Sequence, residues 1–380
     1  MRLLLCVMVA TLFVACSSLK KQEGSWREIR LDANWISQIA KDENLEARKI
    51  ARFKPLIYQN LVIVGGSNGD LSGFNRKSGK LQWRFSLPAG VEASGLIYKN
   101  KYLIFGAKDG YLYKIDASNG ELIWKFFAKA EVLSDLSIEG DAIYFLSGAN
   151  ILYKINAESG KQIWVYSRVQ RSRFSVRGGA QVLVLGPRIY AGFSDGFLVA
   201  LQSSSGDLVW ERKLASSERF GDVDNSPISN GELIFSASFD GNFYAFDKNG
   251  SLRWKADVGA YSKASVFENQ LIVPSSDNKL VFMDASSGKL LKSLQIKSIA
   301  SEVFIKDNLV IFNEANSNLV VYDNLKSKVI ASYEPGKGSL SAPSFDSDLG
   351  QIYLNSNAGN LHALRLYFID RRQLWGWELK

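Results

Sequence analysis

The chain has 380 residues, 46% of them hydrophobic and 12% aromatic, and a formal net charge of +8. That composition can bury a substantial core and excludes a disordered chain, while the length allows two ordinary domains or one large β architecture. Lysine and arginine are scattered rather than massed, so the positive balance reads as a solubility feature, and no basic stripe with stacking aromatics offers a nucleic-acid surface.

The first element is "MRLLLCVMVATLFVAC": a charge at Arg2, an apolar run from Leu3 to Phe13, and small residues before Cys16. The run is shorter than the roughly 20 residues of a spanning helix and has the layout of a secretory signal. "FVAC" resembles a bacterial lipobox, which implies a signal peptide over residues 1–15, diacylation of Cys16 and a lipidated tether over 16–24. Two acyl chains give stable membrane anchoring. Cys6 leaves with the signal, so the folded body holds no cysteine, and disulfides, thiol metal sites and a cysteine nucleophile are excluded.

Next comes "SWREIRL", residues 25–31, which reads as a strand with Trp26 mimicking a repeat tryptophan. Residues 38–52 are polar and fit a short helix or a loop. From there a single phrase repeats: a turn, an alternating strand, a Gly turn, and a strand bearing tryptophan. "DGYLYKIDASNGELIW", ending at Trp124, is its clearest copy. Others end at Trp83, Trp164, Trp210 and Trp254. Weaker copies carry Lys292 and Ala331 in the tryptophan slot, and an eighth recovers Trp375. Another apolar strand pair precedes each phrase. Asp-Gly, Asn-Gly and Ser-Gly pairs supply tight hairpin turns, and alternation such as Leu112, Tyr113, Lys114, Ile115 reads as a half-buried strand.

A unit of four strands cannot bury both faces alone, so copies must stack. Radial stacking gives a β-propeller, and eight copies at a period of about 42 residues predict eight blades in one domain over residues 25–380. The tryptophans are packing residues between blades. The last blade borrows a strand from one end of the chain, and we expect the N-terminal strand, with "RQLWGWELK" as an extra strand or tail.

Two neighbouring intervals are long. Trp164 to Trp210 is 46 residues and Trp210 to Trp254 is 44, against 38 to 41 for most others. Extra length in a propeller enters its face loops, where binding is usually placed. The first holds "RSRFSVRGGAQ", in which Arg171, Arg173 and Arg177 flank Phe174 and Val176. Charge beside an apolar anchor is the composition in which interface energy concentrates. The second holds Asp222 and Asp224 in "GDVDNSP", which could hold Arg177 by a bidentate contact or merely cap a turn.

The repeat phrase resembles the tryptophan-docking repeat of the PQQ-like quinoprotein superfamily. Within it, the lipobox, the eight copies and the length are similar to the lipoprotein family of the outer-membrane β-barrel assembly machinery. In that family an apolar-x-apolar-Arg-Gly segment after blade three and an Asp-x-Asp sequence are implicated in docking to the barrel-forming subunit's periplasmic domains. The resemblance therefore implies partner contacts at Phe174, Val176, Arg177, Asp222 and Asp224. Phe174 and Val176 stand where the family pattern has leucine. It also implies a non-catalytic scaffold, lipid-anchored in the outer membrane and facing the periplasm, that meets unfolded outer-membrane clients and needs no cofactor or metal.

The rival readings are a quinoprotein dehydrogenase and a surface ligand-binding propeller. Quinoprotein dehydrogenases use a vicinal disulfide beside the quinone, which a body without cysteine cannot form. His362 is the only histidine, so Ser-His-Asp chemistry and multi-histidine metal sites lack material. It reads as a structural residue.

Overall fold

A computed structural model describes residues 27–39, 52–66, 69–168, 179–214, 223, 225–238 and 241–370. The chain divides into two units, Leu31–Leu366 and a second made of Met1–Arg30 with Tyr367–Lys380. The described residues of the second are 27–30 and 367–370, all extended. Cys16, Trp26, Trp375 and residues 40–51 lie outside the described residues.

Among the described residues are thirty-two strands and no helix, arranged as eight four-stranded sheets. Each of the first seven is a run of consecutive antiparallel strands. Blade one is Leu56–Tyr58, Leu61–Gly65, Asp70–Asn75 and Leu81–Ser86, from inner to outer. Blade eight takes Ser344–Asp346, Gln351–Asn355 and Asn360–Asp370 from the end of the chain, and its outer strand is Arg27–Gln38. The eight-bladed propeller is thus closed by the N-terminal strand.

The two middle strands of a blade are sandwiched between neighbouring blades. Val62, Ile63 and Val64 in blade one are all buried, and each apolar cluster joins adjacent blades: Ile104 and Leu112 of blade two pack with Phe145 and Tyr153 of blade three. Burying one such side chain contributes about 2 kcal/mol. This corrects the half-buried reading of Leu112 to Ile115, because a blade has no wet face at that depth. Lys114 is buried with them, its ammonium donating to the Ala157 carbonyl at 3.1 Å and paired with Glu158 at 3.3 Å.

The tryptophans reach forward. Each sits in an outer strand and lies on the glycine of the next blade's last turn: Trp83 on Gly120, Trp124 on Gly160, Trp164 on Gly206, Trp210 on Gly250, Trp254 on Gly288. Gly250 shows why the turn needs glycine. Its φ is +80°, and a side chain there would start 2.8 Å from the Trp210 ring. The indole N–H groups of Trp124, Trp164, Trp210 and Trp254 donate to carbonyls of the following blade at 2.9 to 3.2 Å.

Trp35 makes the corresponding contact from blade eight, lying on Gly79 and donating to the Arg76 carbonyl at 3.1 Å. It makes the repeat tryptophan's contact in the closing strand, because position across from the next turn decides the role, while Trp26, expected there, lies outside the described residues. The exceptions follow the same logic. Lys292 donates to the Asn324 carbonyl at 2.6 Å, and with no ring to accommodate, the next blade carries Ser327 at φ +51° in place of glycine. Ala331 faces blade eight, whose third and fourth strands come from opposite ends of the chain and share no turn.

Restoring the missing dock with Lys292→Trp and Ser327→Gly together is expected to stabilise the chain by about 1 kcal/mol, raising the melting temperature by roughly 2 °C. Lys292→Trp alone, with a seryl side chain in the way, should not. Differential scanning calorimetry of the three proteins separates the two.

Candidate interaction face

In an up-and-down blade the turn between strands two and three and the connection to the next blade lie at the same end of the sheet. The described roots of the long connections after blades three and four therefore lie on that face. Phe174, Val176, Arg177, Asp222 and Asp224 all lie outside the described residues. The structure describes the roots of both connections: Arg168 and Gly179 to Gln181 for the first, Leu214, Val223 and Asn225 for the second.

The turn Phe193–Gly196 of blade four gathers these roots. The Leu214 amide donates to the Gly196 carbonyl at 2.9 Å and the Val223 amide to the Phe193 carbonyl at 3.2 Å, so both ends of the second connection are held there. Asn150 of blade three donates to the Ser194 hydroxyl at 2.5 Å.

Arg168 completes the arrangement. Its guanidinium pairs with Asp195 in that turn and with Glu211 on the blade-four outer strand, both at 2.6 Å. A third bond runs to the Tyr166 hydroxyl at 3.2 Å, and the group lies over the Phe197 ring at 4.6 Å. Burial would lower its pKa, but the hydrogen bonds of Asp195 and Glu211 outweigh it and hold the arginine more firmly charged than usual. At the other root, the Gln181 amide donates to Ser226 at 2.8 Å and its side chain to the Leu136 carbonyl at 2.9 Å.

Arg168 lies outside the residues the sequence motifs single out, although the repeat carries a signal for it. The first residue after the outer strand is Leu87, Ala128, Leu214 and Ile296 in blades one, two, four and six. Each has its amide on its own blade's turn, as Arg168 does, and its side chain packed forward into the apolar cluster shared with the next blade. Blade three alone of these five puts a charge in that position; blades five and seven have Asp257 and Glu334 after their outer strands.

Elsewhere, two groups are perturbed chiefly by burial. Asp135 is pushed up chiefly by burial, opposed by the Ser94 amide that donates to it at 2.6 Å. His362 is 3% exposed between blades seven and eight, its Nδ1 lies 3.1 Å from the Tyr333 hydroxyl, and burial lowers its pKa to about 4. Among the described residues no cluster of three or more metal-ligating side chains occurs.

The docked tryptophan, the turn glycine beneath it and the eightfold meander define a propeller of PQQ-like repeats. The family model for outer membrane protein assembly factor BamB matches residues 67–292 and 240–367. The chain belongs to that family. BamB of Moranella endobia is 21% identical over 334 residues, covering 83% of this chain and 85% of that protein. The crystal structure of BamB from Moraxella catarrhalis superposes with a TM-score of 0.74 at 20% identity, covering 88% of this chain and 99% of that one. A europium-containing methanol dehydrogenase superposes nearly as well, at 0.73 with 12% identity over 88% of this chain and 93% of that one. At that identity the likeness is one of fold. The family itself is one of assembly factors.

Proposed function

We propose that this chain acts in outer-membrane protein assembly as a non-catalytic scaffold, anchored to the membrane through lipid on Cys16 and facing the periplasm. It binds the periplasmic domains of the barrel-forming subunit with Phe174, Val176 and Arg177 of the first long connection, beside Asp222 and Asp224 of the second. The observation that carries this reading is the family match together with the rooting of both long connections on the one blade-four turn. Unfolded clients would meet the outer strands, whose exposed apolar side chains, among them Ile123, Ile163 and Leu208, stand beside open sheet edges.

A pull-down of the partner's periplasmic domains with wild type and Arg177→Glu tests it. The substitution reverses a charge in a contact patch and is expected to remove at least 90% of partner recovery, about a tenfold affinity loss or more, with an unchanged melting temperature. Undiminished recovery by Arg177→Glu defeats the contact assignment. No recovery by wild type defeats the function. In a second arm, an unfolded outer-membrane protein is added without the partner, and its retention by wild type supports direct client contact.

A further inference from the structure

We infer that Arg168 is a positioning residue for partner docking: through Asp195 and Glu211 it fixes where the chain leaves blade three relative to the blade-four turn that also roots the second connection. The inference rests on the docking reading above and adds to it a residue outside the two connections.

Ring closure does not need a charge at this position. Leu87, Ala128, Leu214 and Ile296 hold equivalent junctions by apolar packing. Replacing such packing by a largely buried ion pair is neutral or unfavourable for stability, because the charges of Arg168 and Asp195 must be taken out of water. What the cluster adds is direction. A planar guanidinium bonded at once to Asp195, Glu211 and the Tyr166 hydroxyl has one orientation, whereas a leucine can slide in its pocket. The Phe197 ring closes one face of the group.

The departure from the repeat falls where it has leverage. Residue 168 is the last before the first long connection, and Gln181, bonded to Ser226 and Leu136, is at its return. Asp195 belongs to the turn whose carbonyls receive Leu214 and Val223, the two ends of the second connection. One side chain therefore ties the first connection to the mount of the second. A local rule broken without gain in stability marks a functional position.

The test compares wild type, Arg177→Glu, Arg168→Leu combined with Asp195→Asn, and Arg168→Lys. Affinity for the partner's purified periplasmic domains is measured well below the melting temperature, which is recorded for each. The double variant carries the apolar residue type of blades one, two, four and six and leaves Glu211, which is 39% exposed on its side chain, to solvent. It is expected to melt within about 3 °C of wild type and to bind about tenfold more weakly. Arg168→Lys keeps the charge but loses the fork, and should bind about threefold more weakly with the same melting temperature; it carries the comparison if the double variant does not fold. Wild-type affinity in the Arg168 variants, with Arg177→Glu defective, overturns the positioning role alone. Wild-type affinity in all of them overturns the docking reading and this inference with it. A lower melting temperature with unchanged affinity assigns Arg168 to blade packing and also overturns the proposal.

Discussion

Arg76→Ala should lower the stability of this chain by about 4 kcal/mol, and Asp348→Asn by less than about 1. Arg76, in the last turn of blade one, bonds two carboxylates of blade eight. Asp346 lies at 3.1 Å with its side chain 1% exposed, and Asp348 lies at 3.1 Å with its side chain 69% exposed. Removing the arginine leaves the Asp346 charge buried with only the Asp348 and Leu349 amides and the Tyr353 hydroxyl. Stripping the partner from a buried ion costs about 3 to 5 kcal/mol, whereas an exposed pair contributes at most about 1. For a chain of this size the first loss corresponds to roughly 5 to 10 °C of melting temperature. Circular-dichroism melts of both variants check the contrast. Equal effects would mean that burial of Asp346 does not set the strength of the junction.

Acidification should destabilise the protein through His362 well before most carboxylates titrate. The imidazole is buried with Nε2 unpartnered, and its pKa falls to about 4, against about 6.5 unfolded. Between those values the unfolded chain binds a proton that the folded chain refuses, so stability rises with pH across the window. The contribution is constant above pH 6.5. It declines as pH falls from 6.5 towards 4, by about 1.4 kcal/mol per unit and about 3 kcal/mol in all. Urea unfolding at pH 7, 6 and 5 measures the slope. His362→Phe, which keeps a buried ring, should remove the share of this single histidine between 6.5 and 5, while Asp135, pushed up by burial, acts in the opposite sense. A slope unchanged in that variant would assign the dependence to other groups.

The repeat was legible because two constraints act together at fixed spacing: a ring lies over the turn, and only glycine fits under it. That pair of residue types, seen at Trp124 with Gly160 or Trp210 with Gly250, carries blade number and blade order by itself. Trp35 was not legible by the same means. Its strand is the outer strand of blade eight, but in sequence it stands at the opposite end from that blade and follows no Gly turn. Ala331 held the missing clue, since a slot with no turn to face has no use for tryptophan. Strand burial was misread because alternation is diagnostic only when one face is wet, and Lys114 shows that even a lysine can be enclosed when carbonyls and a carboxylate receive it. For the interaction face, the long connections were visible as excess length. Arg168 was hidden because a lone arginine at a strand end is ordinary until it is set beside Leu87, Ala128, Leu214 and Ile296.

The borrowed strand also sets the order in which the molecule can be made. Blades one to seven are meanders whose partners are neighbours in sequence, and such contacts form early and quickly. The eighth draws on both ends, and the contacts that seal it span 270 residues from Arg76 to Asp346 and 290 from Gly65 to Asn355. Joining ends that far apart costs about 5 kcal/mol of chain entropy. A chain emerging N-terminus first therefore has no partner for Arg27–Gln38 until Asn360–Asp370 has followed. Until then the flank of blade one that will meet Tyr353 and Leu361 stays open. Completion of the ring therefore waits for nearly the whole polypeptide to arrive.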